Sequence, residues 1–112
     1  MLGLTFRPDV AVTAHTNAVG LREAFEARGA AVWGHDPLLS EQGIRSLGFE
    51  PAEGPFDRYD LAVVHAYHAA YAALDWPVIA PVLLDARNAM DRAALEGAGI
   101  RYVGIGRPLV MA

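Results

Sequence analysis

Two arginines stand where a strand end hands a charge to a ligand. In Gly3-Leu4-Thr5-Phe6-Arg7-Pro8-Asp9 an apolar run reaches a cation, then a proline that stops regular pairing. Arg87 follows a second apolar run, Val82-Leu83-Leu84-Asp85, and precedes Asn88. Two guanidinium forks beside a helix N-terminus suit a diphosphate. The same pattern also suits arginines that cap strand ends or pair with Asp9 and Asp85. Every cation of the chain is arginine and lysine is absent, so any phosphate site uses Arg forks, histidine or backbone N–H groups.

Other chemistries find less support. His65 and His68 are three apart, but His65 closes an apolar strand-like run and no carboxylate stands at the spacing of a zinc hydrolase. Ser40 and Ser46 fall in or beside a surface helix with no elbow motif, and there is no cysteine, which excludes disulfides and a thiol nucleophile. No Gly-x-Gly-x-x-Gly and no Walker loop occurs. Gly104-Ile105-Gly106-Arg107 follows the last strand with no helix after it, so it fails as a dinucleotide fingerprint. Asp36 stands where a ribose-binding acid would in a Rossmann unit. Without the glycine fingerprint it reads better as a turn residue before Pro37. Tyr67, Tyr71 and Trp76 form an aromatic stripe that fits core packing or an interface better than base stacking.

The elements that position these residues alternate in period. Strands are expected at Leu2–Phe6, Ala31–Gly34, Leu61–His65, Val82–Asp85 and Tyr102–Ile105. Helices are expected from an Asn17 cap to about Arg28 with Gly29 as terminator, from a Ser40 cap over Glu41–Leu47, over Tyr67–Leu74, and over Asp91–Gly97. Phe49–Tyr59 reads as a connecting loop, and Pro77 and Pro81 bracket a turn. This alternation predicts βαβ units, a parallel sheet of about five strands, and a Rossmann-like three-layer α/β sandwich forming one domain over residues 1–112. Ligands of such sheets sit beyond the strands' carboxyl ends, where Arg7, Asp36, His65 and Asp85–Asn88 all fall.

Composition narrows the class. A hydrophobic content of 54% supports a core. A net charge of -4 argues against nonspecific nucleic-acid binding. No apolar run reaches the ~18 residues of a membrane span, and the N-terminus lacks a signal-peptide pattern. These features, with the absent cysteine, point to the cytoplasm, and the Arg- and Ala-rich usage to a high-GC bacterial genome.

Six short segments in order resemble the C-terminal, nucleotide-sugar-binding domain of the UDP-glucose/GDP-mannose dehydrogenase family. They are Gly3–Asp9, Leu21–Pro37 with Trp33-Gly34-His35-Asp36-Pro37, Asp60–Tyr71 with His68 on the family's histidine, Leu74-Asp75-Trp76, Leu84-Asp85-Ala86-Arg87-Asn88, and Tyr102–Arg107. The resemblance implies a UDP-sugar or related nucleotide-sugar ligand and substrate-binding roles for Phe6, Arg7, Arg87 and Asn88. It places Arg7 where lysine is usual, keeping charge but not geometry. It also places Ala14 where the family's arginine contacts NAD, with Ala11-Val12 in place of an acidic pair and Asn17 in place of a proline. The family's catalytic cysteine and its NAD-binding domain lie outside the resembling part. The expectation is therefore a stand-alone nucleotide-sugar-binding domain with no catalytic residue and no bound cofactor, NAD being implied by the family only. One alternative is a subunit or fragment of an NAD-dependent oxidoreductase completed by a partner dehydrogenase chain. Another is an interaction module, with Val10–Val12 and Pro108–Ala112 as homodimer surface.

Overall fold

The computed structural model describes residues 1–105 apart from His15, Gly54, Pro55 and Asp57. Gly106, Arg107 and the Pro108–Ala112 tail, to which the sequence assigned a glycine pair and a dimer surface, lie outside the described residues.

Helix α1 spans Ala18–Ala27 and leads into strand β1, Trp33–Gly34. Helix α2, Glu41–Ser46, leads into β2, Glu50–Pro51. Strand β3 is Ala62–Val64 and is followed by a 3-10 turn over Ala69–Ala73. A four-residue helix α3, Trp76–Ile79, precedes β4, Val82–Asp85. Helix α4, Arg92–Gly97, precedes β5, Arg101–Gly104.

Every strand pair is parallel: β1 with β2, β3 with β4, and β4 with β5. The N-terminal segment joins the two sheets, because Leu2 bridges both His35 and Val64. Its backbone alternates partners. Leu2 N–H donates to Val63 and Gly3 N–H to His35, while Leu2 C=O accepts from His65. The spatial order is therefore β2, β1, the N-terminal segment, β3, β4, β5, that of a doubly wound Rossmann sheet.

The expected first strand, Leu2–Phe6, is reduced to that bridging position. Gly3 has φ +82°, and a Cβ there would lie 2.0 Å from the Ala66 carbonyl oxygen, so only glycine fits this close approach. Beyond it the chain leaves the sheet and folds back on itself. Phe6 N–H donates to Val12 C=O, and Arg7 forms an antiparallel bridge with Val10. The expected loop Phe49–Tyr59 contains β2, an edge strand. Pro51 is tolerated there because the next N–H, that of Ala52, makes the bond to Gly34 C=O. The turn expected between Pro77 and Pro81 begins with α3, where Pro77 falls in the first helical turn and needs no N–H partner.

Caps set the helix boundaries. Ser40 Oγ accepts from Gly43 N–H, and Asp91 accepts from Ala94 N–H. Asn17 stands at the α1 cap position and its C=O accepts Leu21 N–H, but its side chain makes no cap bond, since its backbone is already helical (φ -87°, ψ 0°) rather than extended. Thr16 substitutes: its Oγ1 accepts from Ala18 N–H and donates to Leu4 C=O, pinning the helix start onto the N-terminal segment. Helix α1 ends in a Schellman motif. Gly29 has φ +90°, its N–H reaches Glu26 C=O, and Ala30 N–H reaches Phe25 C=O.

The main core gathers Leu2, Val64, Tyr71, Trp76, Leu83, Leu95, Ile100 and Tyr102. A second cluster, Leu4, Ala18, Ile44 and Phe49, seats α1 and α2. The aromatic stripe is core, as its composition suggested: Tyr71 and Trp76 are buried and Tyr67 packs against them.

Candidate functional site: a guanidinium across the switch point of the sheet

In a doubly wound sheet the strand order reverses between the first strand and its neighbour, and their carboxyl ends splay into a crevice. Here that crevice lies between the N-terminal segment and β3. Arg87, arriving from the end of β4, spans it. Its Nε donates to His65 C=O at 3.0 Å, and its Nη2 donates to Phe6 C=O at 3.1 Å. The guanidinium thus caps one backbone carbonyl on each side of the crevice. Nη1 has no partner among the described residues, and the residue is exposed.

The turn that carries Arg87 is built by Asp85, which is fully buried at the end of β4. Its carboxylate accepts from Tyr102 Oη at 2.8 Å, Met90 N–H at 2.8 Å and Arg87 N–H at 3.2 Å. This bends the backbone sharply enough to put Asn88 at φ +53°. Asn88 Nδ2 then donates to Ile105 C=O at 2.7 Å, tying the turn to the end of β5, while its Oδ1 is buried without a partner among the described residues.

Phe6 and Arg7 lie on the other side of the crevice. The Arg7 guanidinium rests 5.4 Å from the centre of the Phe6 ring and is exposed. It makes no ion pair with Asp9 or Asp85 among the described residues. Arg7 is therefore available to an anion. Arg87 is linked to Phe6 through the Phe6 carbonyl, and Arg7 and Asn88 are the sequence neighbours of that pair. Ala14 is exposed and brings no polar group to this rim. Val10 and Val12 are exposed beside it.

Behind the crevice is a buried polar network. Asp36 at the end of β1, its side chain wholly buried, accepts from Leu4 N–H at 2.7 Å and from Leu38 N–H at 2.9 Å. Its Oδ2 lies 2.9 Å from His68 Nε2. With these three partners Asp36 is a structural hub as well as a turn residue, not a ribose ligand. His68 Nδ1 accepts the Asp9 N–H at 2.8 Å. That acceptance requires an unprotonated Nδ1, so the proton sits on Nε2 and points at Asp36. Thr5 Oγ1, which donates to Arg7 C=O, lies 3.5 Å from the same Nε2.

His65 and His35 complete the surroundings. His65 is buried, with Nδ1 3.0 Å from Gly3 C=O and Nε2 unpartnered. Burial pushes its pKa down and the Arg87 charge adds to that, against the Gly3 bond. Burial likewise lowers His35, partly opposed by the Asp36 charge. Tyr71 Oη donates to His35 C=O, so the His35 Nδ1–H must donate to the phenol oxygen. Burial, with Asp36 adding, pushes that phenol far above its ordinary range. Among the described residues no group of three metal-binding side chains occurs, and His65 and His68 are engaged separately.

A second concave space, of about 590 Å³, lies elsewhere. It lies at the amino ends of the strands, among Met1, Phe25, Val32, Trp33, Tyr59 and Ile79, with Arg58 and Asp60 as its charged lining. It contains none of the arginines of the crevice and has little to offer a phosphate. No helix of the described residues is long and apolar enough to cross a membrane.

Sequence reasoning named Arg7, Arg87 and Asn88 but not their supports. Thr5, Thr16, Asp9 and Tyr102 were missed. Only Asp9 carried a local signal, a Pro-Asp pair that favours a turn. The others act across the sheet.

Comparison with known proteins agrees with this architecture. The family model described as the UDP-glucose/GDP-mannose dehydrogenase family, UDP binding domain, matches residues 1–92. A UDP-glucose 6-dehydrogenase of Rhizobium meliloti (strain 1021) is 30% identical over 117 aligned positions, covering 96% of this chain and 27% of the relative. The UDP-glucose 6-dehydrogenase TuaD of Bacillus subtilis (strain 168) is 28% identical, covering 98% of this chain and 26% of the relative. The chain thus spans about a quarter of the length of the curated relatives it matches. With the doubly wound order and the arginine-bridged crevice in place, the chain belongs to the UDP-glucose/GDP-mannose dehydrogenase family, matching that family's UDP binding domain.

Proposed function

We propose that this chain binds the nucleotide end of a UDP-sugar at the crevice between the N-terminal segment and β3. Arg87 and Arg7 supply the positive charge that a diphosphate needs, and Phe6 and Asn88 shape the rim. The observation that carries this reading is Arg87 itself. Two backbone carbonyls hold its guanidinium across the switch point and leave an N–H edge free for an anion. A pre-positioned fork loses little freedom on binding, which favours bidentate contact with phosphate oxygens.

Sugar oxidation is the work named for the relatives, and hydride transfer from a sugar alcohol needs NAD and a nucleophile or base that these residues do not assemble. This chain supplies substrate binding, and the chemistry falls to regions outside the matched quarter, within a longer protein or in a partner chain. The coverage of 26–27% of the relatives favours that division of labour.

Calorimetry with UDP, UDP-glucose and GDP-mannose tests the proposal. UDP and UDP-glucose are expected to give heat that Arg7→Ala with Arg87→Ala abolishes. Absence of heat and of any thermal shift at millimolar UDP would refute it. Appearance of NADH with this chain alone would refute the assignment of chemistry to other regions.

A further inference from the structure

We infer that His68 is a positioning residue for the loop that presents Arg7. This rests on the proposal that Arg7 meets a ligand anion. The loop leaves the sheet after Gly3 and folds back on itself as far as Val12. Most of its bonds are internal: Thr5 Oγ1 to Arg7 C=O, Phe6 N–H to Val12 C=O, and Val10 N–H to Arg7 C=O. Those bonds shape the loop, and Arg87 Nη2 holds its near end at Phe6 C=O. Two bonds attach its far end to the rest of the protein, and both use Asp9. Its N–H donates to His68 Nδ1 at 2.8 Å, and its Oδ1 accepts Ala69 N–H at 2.9 Å.

Asp9 holds a left-handed backbone, φ +59°, a conformation that Asp tolerates better than most side-chain-bearing residues. The partner of its N–H is buried and fixed. His68 is 1% exposed, and Asp36 Oδ2 accepts from its Nε2. Asp36 in turn accepts Leu4 N–H from the N-terminal segment. The chain of bonds runs from the sheet, through Asp36 and His68, to Asp9, two residues beyond Arg7. Asp36 selects the Nε2–H tautomer, and that tautomer alone leaves Nδ1 free to accept from Asp9. His68 does not itself meet the anion. It determines where the residue that does is held.

Two substitutions separate positioning from mere support. His68→Leu removes both bonds. His68→Asn also loses the reach to Asp36, but its Oδ1 takes the place of Nδ1 and can accept the Asp9 N–H. Titration of each folded variant with UDP is expected to show about a tenfold loss for Leu, the equivalent of one hydrogen bond of position, and recovery to within about threefold for Asn. Asp9 amide exchange, read by NMR without ligand, is expected to be slow in wild type and Asn and fast in Leu. On the unsubstituted protein, the ring nitrogen shifts are expected to report a bare Nδ1 and a protonated Nε2. Equal UDP affinity in all three proteins overturns the inference, as does an equal loss in Leu and Asn. A protonated Nδ1 in wild type overturns it without any variant. Should UDP not bind wild type at all, the functional proposal fails, whereas the exchange and nitrogen data still decide the role of His68.

Discussion

Replacing Asp36 with alanine is expected to cost this domain about a third to a half of its stability. The side chain is wholly buried and accepts three hydrogen bonds. Two of its donors have no recourse to water: the N–H of Leu4, a fully buried residue, and Nε2–H of His68. An orphaned buried donor costs about 1–3 kcal/mol, more when its partner was charged. Thr5 Oγ1, 3.5 Å from His68 Nε2, can accept weakly and trims the second term. The third donor, Leu38 N–H, lies in a partly exposed turn where water replaces the carboxylate at little cost. The sum is about 3–5 kcal/mol, against the 5–15 kcal/mol typical of a domain. Asp36→Asn should cost only about 1–2 kcal/mol. An amide can keep its oxygen toward Leu4 and His68, and its NH2 then faces Leu38 N–H, so that only that one bond is lost. Urea denaturation at neutral pH measures both, with the alanine midpoint falling by about 2 M. A loss under about 1 kcal/mol for alanine, or identical losses for alanine and asparagine, would show that Asp36 is not the hub described.

Three further outcomes follow from other parts of the molecule. Arg87→Ala should weaken UDP binding at least about tenfold while costing only about 1 kcal/mol of stability, because Arg87 is itself exposed and water can take its place at the Phe6 carbonyl. Arg87→Lys should not restore binding, since an ammonium cannot span both carbonyls; calorimetry beside urea melts reads both, and full rescue by lysine would count against the fork geometry. Gly3→Ala should leave little folded protein, with a loss above about 3 kcal/mol, because a Cβ at φ +82° collides with the Ala66 carbonyl; a soluble, cooperative melt near wild type contradicts the close approach. Acid should destabilise the fold through His65 and His35. Their folded pKa values lie below the unfolded value of about 6.5, so the unfolded chain takes up protons first, and stability present above that pH is lost as pH falls toward 5. Urea midpoints at pH 7 and pH 5 measure this, and His65→Gln should shrink the difference; an unchanged midpoint would refute the burial argument.

Much of the domain was legible in the sequence because its signals are local. Buried strand runs such as Val82–Asp85 read correctly, as did the Ser40 and Asp91 caps and the Gly29 terminator, each a matter of one turn of chain. The arginines were legible too, since a cation after an apolar run marks a strand's carboxyl end. Asn17 misled because capping depends on backbone conformation, and Thr16, bonded to Leu4 twelve residues away, had already set it. Strand β2 was invisible because two residues containing a proline carry no strand signal; pairing with β1 makes them a strand.

What the sequence determined by itself was the inventory: a parallel α/β domain with arginines at its strand ends and a family likeness concentrated in the same places. What only the tertiary structure decided was which groups those arginines face. Arg87 turns its fork to the Phe6 and His65 carbonyls, 81 and 22 residues away, rather than to Asp85 two positions before it. Asp36 and His68, 32 residues apart, meet as one buried pair. The reason is that an unsatisfied buried polar group must find its partner in space, and the strand order, not the chain order, sets which partners are within 3 Å.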